Sequence, residues 1–439
     1  MPASNSVSAP PPESLTSDQP SSFAALRHRD FRLMWAGQFV SMTGSQMQRV
    51  AIDWHIYLLT KSPLALGLVG LVRVGPIILC SLLGGVVADV VDRKRLMLIA
   101  QSVMLLSAFV LALTTASGLK SVWPVYLMTA VSSAAIAFDN PARQALMPAL
   151  VPPEDFQNSV SLYLIVFQVA QVAGPALAGL LLYAYGPALI YGVNAASFVA
   201  VIIAVLLIRA SGRVTNEDEE KRTRVSFSAL GEGLRFVRRT PIIVQTMTLD
   251  FVATFFGAAN ALLPIFAAEI LKVGARGLGM LAAAPAVGSV IAGLVVARFG
   301  TLRRQGSIVV IAIACYGAAT VAFGLSRVFW LSLLLLATIG AADTVSTVIR
   351  QTIRQLLTPN HLRGRMTSIN MIFFMGGPQL GEMEAGVVAR LIGAPLSVVT
   401  GGIGCLVAVA LIAMKARSLL NYQGAAETRE ETGRSGAAT

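Results

Sequence analysis

Apolar residues run along this chain in blocks long enough to cross a bilayer, and polar residues gather at the joins. A membrane helix needs about 20 mostly apolar residues, and such blocks recur from Phe31 to Ala416. They predict twelve helices, at 32–60, 64–90, 95–117, 121–146, 157–185, 187–209, 242–270, 275–299, 306–325, 328–352, 365–390 and 394–415. The first block is the least apolar, because Gln46, Gln48, Arg49 and Asp53 fall inside it. The longest polar insert, 210–240, separates two six-helix bundles at 26–209 and 241–418. Within it, 226–239 has the pattern of an amphipathic helix lying on a membrane surface. The Ser- and Pro-rich residues 1–25 and the polar residues 419–439 predict disordered cytoplasmic tails. No apolar run follows a basic start, so the first tail is not a signal peptide. The fold expected is an all-α membrane protein, twelve transmembrane helices in two six-helix pseudo-symmetric bundles.

Composition sharpens this picture. Of 439 residues 55% are hydrophobic and only 13% charged, with mean hydropathy +0.71. A soluble chain of this length would need far more charge to cover its surface. The net charge of +12 would suggest nucleic acid in a soluble protein. Here the basic residues concentrate in alternate joins, as the positive-inside rule requires, and nucleic-acid binding is excluded. The base-rich set holds Arg27, Arg29 and Arg32, then Arg93, Lys94 and Arg95, then Arg209 to Arg239, Arg303 and Arg304, Arg363 and Arg365, and Lys415. Both termini are therefore expected in the cytoplasm, with the chain crossing a bacterial inner membrane many times. Cys80, Cys315 and Cys405 lie within apolar blocks without metal-ligand spacing, so neither disulfides nor a metal site are expected. There is no phosphate-cradling Gly-Lys-Ser/Thr loop and no nucleophile with its base. No enzyme activity or cofactor is expected, and energy would come from an ion gradient or from the substrate's own gradient.

The two halves repeat each other. Arg143-Gln144 recurs as Arg350-Gln351 at an offset of 207 residues, and Gly174, Ala178 and Gly179 recur as Gly381, Ala385 and Gly386. Parallel repeats of this kind build transporter folds. Between the second and third blocks, Gly85, Asp89, Arg93 and Lys94 resemble the loop joining helices 2 and 3 of major facilitator superfamily transporters, with Asp92 where the usual second Gly stands. The run Phe138-Asp139-Asn140-Pro141-Ala142-Arg143-Gln144 and the segment Gly174-Pro175-Ala176-Leu177-Ala178-Gly179 are similar to the branch of transmembrane secretion effectors and enterobactin-exporter-like proteins. So is the start Phe31-Arg32-Leu33-Met34-Trp35. The resemblance implies a monomeric carrier that exposes one central small-molecule site to each side in turn. It also implies a cytoplasmic gate formed by Gly85, Asp89, Arg93 and Lys94, joined by the pairs Asp139–Arg143 and Asp343–Arg350.

Charges inside membrane helices are costly and point to function. Gln38, Ser41, Ser45, Arg49 and Asp53 share one face of the first helix. Arg49 and Asp53 form an i,i+4 pair, with Arg73 as an alternative partner for Asp53. Asp53 is read as a proton-exchanging group, against a purely structural pair. Asp250, followed by Phe251, Phe255 and Phe256, is read as a contact for a cationic or polyhydroxylated substrate, against an aromatic packing stripe. Glu382 and Glu384 are two residues apart, about 200° around a helix. One of them can face the cavity, and the spacing leaves open which. Gly174, Ala178, Gly381 and Ala385 have the spacing of close helix packing, and Pro175 adds a bend. The expected function is proton-coupled efflux of a small amphipathic molecule, a siderophore, secondary metabolite or drug. A lysophospholipid flippase, a nutrient importer and a transport-inactive sensor are the other readings.

Overall fold

Each apolar block folds as a helix, in a computed structural model that describes residues 23–212, 235–257, 259–299, 304–359 and 362–415. Side chains at 82–86, 88–90, 259, 299, 363–365, 367–369, 371–375 and 415 stand outside that description. The first bundle comprises α1 (Arg29–Thr60), α2 (Pro63–Val90), α3 (Arg93–Ala116), α4 (Trp123–Leu146), α5 (Phe156–Tyr185) and α6 (Pro187–Leu207). The second comprises α7 (Pro241–Phe256), α8 (Gly274–Phe299), α9 (Gln305–Leu325), α10 (Phe329–Leu357), α11 (Arg363–Ile392) and α12 (Ala394–Lys415). Among the described residues nine spans are long and apolar enough to cross a membrane, eight of these helices and the segment Pro241–Ile270 that begins with α7, and α1, α4 and α11 are not among them. Those three carry Arg49, Asp53, Asp139, Arg143, Glu382 and Glu384. A helix that turns one face to a protein interior need not be apolar all round.

The seventh block departs from the expected continuous helix. It stops at Phe256 and resumes as short turns, Ala259–Leu262 and Leu263–Ile265, before a π-helical turn at Phe266–Ile270. At the break, Tyr316 of α9 donates to the Gly257 carbonyl at 3.1 Å. A Cβ on Gly257 would overlap the Tyr316 ring. Pro264, without an N–H, cannot continue the helical ladder. Of the expected surface helix at 226–239, helical residues 235–239 are described and 213–234 lie outside the described residues.

The internal repeat reappears in geometry. Gly186 (φ 74°) and Gly393 (φ 89°) form the tight joins α5–α6 and α11–α12, each in a backbone region that L side chains avoid. They stand at the repeat offset of 207 residues, as do Trp123 and Trp330, which open α4 and α10. Both tryptophans are strongly exposed at the ends opposite the basic joins, together with Tyr183 and Tyr185. This is the placement of an interfacial aromatic belt.

Among the described residues, extensive contact between the bundles is confined to two crossings, α2 on α11 and α5 on α8. At the first, a Cβ on Gly67 would sit 2.9 Å from the Gly386 Cα. At the second, a Cβ on Gly179 would sit 2.7 Å from the Gly279 Cα. All four glycines lie toward the base-poor ends of their helices. There, too, Tyr57 donates to Glu269 across the bundles at 2.9 Å. The base-rich end of the first bundle is stitched internally. Asp30 accepts from the backbone N–H of Arg209 and Ala210, both at 2.8 Å. Lys94 donates to the Ile208 carbonyl at 2.6 Å, and His28 meets Asp155 at 2.7 Å.

Candidate functional site

Between the bundles lies a cavity of about 350 Å³, walled by α1, α2 and α5 on one side and by α8, α10, α11 and the break after α7 on the other. Its charged lining is Arg49, Asp53, Arg73, Asp343 and Glu382, and its neutral polar lining includes Gln46, Gln168, Gln171, Asn260 and Ser289. Helical spacing explains the first wall. Gln46, Arg49 and Asp53 fall at steps of three and four, so α1 presents them as one stripe.

Asp53 pairs with Arg73 rather than with Arg49. The Arg73 Nη2 lies 2.8 Å from the Asp53 Oδ1 and also donates to the Arg49 carbonyl at 3.4 Å. The i,i+4 spacing on α1 permits an Arg49–Asp53 pair. The neighbouring helix delivers a guanidinium to Asp53 at shorter range. Arg49, accessible through the cavity, forms no ion pair among the described residues. The two arginines should therefore respond differently. Arg73→Gln strands a largely buried carboxylate and is expected to destabilise the protein toward the lower end of the ~3–5 kcal/mol typical of breaking a buried pair. Arg49→Gln should leave thermal unfolding in detergent close to that of the parent. Equal melting shifts for the two variants would overturn this assignment.

Of the two span-11 carboxylates, Glu382 lines the cavity and Glu384 is not among the lining residues. The Glu382 carboxylate lies over the α2 backbone, where a Cβ on Gly70 would come within 2.9 Å of its Oε2. Asp343 also opens into the cavity, its side chain 44% exposed. It stands 3.9 Å from the Arg350 Nη2.

Asp250 stands off the cavity wall, contrary to the expected substrate contact. It is buried, with Oδ1 at 2.9 Å from Arg350 and Oδ2 at 3.4 Å from Arg354. The neighbouring rings of Phe251 and Phe255 stack on each other with centroids 5.6 Å apart. The reason lies in the helix ends: Asp250 on α7 and the two arginines on α10 meet toward the base-rich face. In the first bundle, Arg143 reaches α1 in the same manner, donating to the Gln38 Oε1 at 2.7 Å and to the Asn140 side-chain oxygen. It lies 3.8 Å from Asp139 and packs over the Tyr163 ring. Asp139 is buried and accepts from Gln101 at 2.9 Å.

Gly85 and Asp89 of the expected gate have side chains outside the described residues. Within the first bundle Arg93 donates to the Ala145 carbonyl at 3.2 Å and Lys94 to the Ile208 carbonyl. Among the packing residues, Gly174 meets α1 at Gln46 and Thr43, and Pro175 lines the cavity. Ala178 and Ala385 are buried, and the Ala385 carbonyl accepts from Ser397. Gly381 is buried on α11. Sequence reasoning passes over Gln168 and Gln171 and the Gly67–Gly70 step. Polar residues three apart on an apolar helix are a readable signal for the first, and small residues three apart for the second.

The family profile of transmembrane secretion effectors matches residues 20–430. The chain belongs to this family of the major facilitator superfamily. The chain is similar to the enterobactin exporter EntS. Identity is 25% over 380 residues to the protein of Shigella boydii serotype 18, covering 87% of this chain and 90% of the relative. It is 24% over 396 residues to that of Escherichia coli K12, covering 90% and 94%. The fold matches the nucleoside transporter NupG with a TM-score of 0.69 at 13% identity, over 90% of this chain and 100% of that one. It also matches a bacterial homologue of the human lysosomal transporter Spinster in an inward-facing, unoccupied conformation, with a TM-score of 0.70 at 15% identity, over 90% and 98%.

Proposed function

We propose that this chain is a secondary active exporter of the bacterial inner membrane, with both termini cytoplasmic. It moves a small amphipathic molecule outward in exchange for protons by alternating access. The observation that carries this reading is the cavity itself. It is shared by both bundles, roofed by the glycine crossings at the base-poor end, and lined by carboxylates that a proton can neutralise. Under the positive-inside rule the base-rich end is cytoplasmic, so the cavity is closed toward the outside. Asp53 is the exchanging group: a proton there releases Arg73, and loss of the proton restores the pair.

The lining supports a substrate class. Gln46, Gln168, Gln171, Asn260 and Ser289 offer hydrogen bonds around the charged groups. Such a wall favours a molecule rich in hydroxyl or amide groups over a purely lipophilic cation. Together with the enterobactin exporters among the relatives, this supports a siderophore or a similar secondary metabolite.

The test is proton movement in sealed proteoliposomes holding a pH gradient, on adding a catecholate siderophore. Substrate-dependent proton flux in the parent, lost in Asp53→Asn, is the expected result. Flux that survives the substitution moves the exchange to Glu382. Siderophore movement with no proton movement overturns antiport. No movement of either, from protein shown to be folded, turns the reading toward a lipid flippase or a sensor.

A further inference from the structure

A chain of four charges runs from the transport cavity to the base-rich end of the second bundle. Asp343 opens into the cavity with its side chain 44% exposed, 3.9 Å from the Arg350 Nη2. The same Nη2 lies 2.9 Å from the Asp250 Oδ1, and the Asp250 Oδ2 lies 3.4 Å from the Arg354 Nη1. Arg354 in turn lines a second cavity, of about 450 Å³, with Gln351, Thr352, Gln355 and Thr358. One end of the chain therefore faces the transport cavity and the other a separate opening.

The middle of the chain is built to shift. Arg350 is fully buried, yet its Nε and Nη1 have no hydrogen-bond partner among the described residues, and Nη2 serves both carboxylates and the Thr347 hydroxyl. A guanidinium held through one nitrogen can re-aim between two acids while disturbing one other contact, that to the Thr347 hydroxyl. Its position depends on which acid carries more charge. Among the described residues Tyr316 of α9 also faces Asp343, its hydroxyl engaged with the Gly257 carbonyl. α8 brings Ser289 to this region, bonded to the Gly340 carbonyl, and α7 brings Asp250. Across the same cavity stand Arg49, Asp53 and Arg73 of the first bundle and Glu382 of α11.

The first bundle has no matching chain among the described residues. Position 136, the repeat counterpart of Asp343, is Ile136, and the acid beside Arg143 is the buried Asp139. Where Arg350 meets Asp250, Arg143 meets the neutral Gln38. Among the described residues, charge continuity from cavity to base-rich end is thus found in the second bundle.

We propose that Asp343 senses the charge state of the transport cavity, and that Arg350 is the positioning residue that passes it to the Asp250–Arg354 tie between α7 and α10. With Asp343 ionised, Arg350 is drawn toward the cavity and shared. With Asp343 neutralised, Arg350 belongs wholly to Asp250, the hold on Arg354 relaxes, and the base-rich end of the second bundle changes its position. This inference rests on the cavity being the transport site, but its test needs no substrate.

Spin labels would be placed at Gln157→Cys, the base-rich end of α5, and Gln355→Cys, the base-rich end of α10, both exposed. Cys80 and Cys315 would be replaced by Ser, and the buried Cys405 kept. Distances would be measured on the full chain in lipid nanodiscs at about pH 5 and about pH 9, either side of the range of perturbed carboxylates. The parent should shift between two distance populations with pH. Asp343→Asn should show the acid population at both pH values, and Asp343→Glu should restore the shift. Arg350→Lys, which keeps the charge, should keep a pH response. A parent with no pH-dependent shift overturns the proposal, as does a shift that Asp343→Asn leaves unchanged. Siderophore-driven flux that persists alongside such a result would leave the transport reading standing while removing this one.

Discussion

Asp250→Leu is expected to collapse the yield of folded protein. Asp250 is buried and neutralises two arginines that are themselves buried, at 2.9 and 3.4 Å. Removing one partner of a buried pair leaves an uncompensated charge and typically destabilises by about 3–5 kcal/mol. Arg354 then loses its ion pair and Arg350 keeps only Asp343, 3.9 Å away. Fluorescence-detected size exclusion and thermal unfolding in detergent would read the loss. The mechanism also predicts a rescue: Asp250→Leu combined with Arg350→Met and Arg354→Met should recover much of the folded yield. Replacing a whole buried ionic group by apolar side chains of similar volume is often neutral or stabilising. That triple variant should remain inactive in transport. If Asp250→Leu alone melted like the parent, the cluster would have to be solvated rather than buried.

Gly386→Leu should abolish substrate-dependent flux while leaving a monodisperse, folded protein. A Cβ at that position would stand 2.8 Å from the Gly67 Cα and 2.8 Å from the Pro63 carbonyl oxygen, and 3.0 Å from the Gly67 backbone nitrogen. All three neighbours are backbone and cannot rotate aside. A leucine therefore holds α2 and α11 apart at the base-poor end. The contact lies between bundles rather than within one, so each bundle keeps its own core. Gly179→Leu should act alike at the α5–α8 crossing, where an added Cβ would lie 2.7 Å from the Gly279 Cα. Gly192→Leu, with open space around it, is the control expected to transport normally. Cysteine labelling from the base-poor side should rise in the first two variants. Unchanged labelling with normal flux would show that these crossings do not close the carrier.

The helices are legible in the sequence because hydropathy is a local property. Blocks expected at 64–90 and 394–415 fold as Pro63–Val90 and Ala394–Lys415. The seventh block is misread in its second half, since nothing in the apolar run 242–270 announces that Tyr316, from another helix, occupies the space beside Gly257. Which arginine holds Asp53 is equally hidden. Spacing along α1 favours Arg49, but Arg73 arrives from α2 at 2.8 Å. The aromatic neighbours of Asp250 point it toward the cavity. Its actual partners come from α10, about a hundred residues away in the chain.

The sequence by itself determined that the chain is a membrane protein of two repeated six-helix halves, which faces carry basic joins, and which family it resembles. Those properties are sums over neighbouring residues and survive without knowing how helices pack. Only the tertiary structure decided that Gly179 and Gly386, matched by the repeat, become the two crossings between bundles. It also decided that Glu382 rather than Glu384 meets the cavity, and that Asp343 shares Arg350 with Asp250. Ion pairs and helix crossings are set by distances of a few ångströms between segments far apart in the chain, and only the packed bundle fixes those distances.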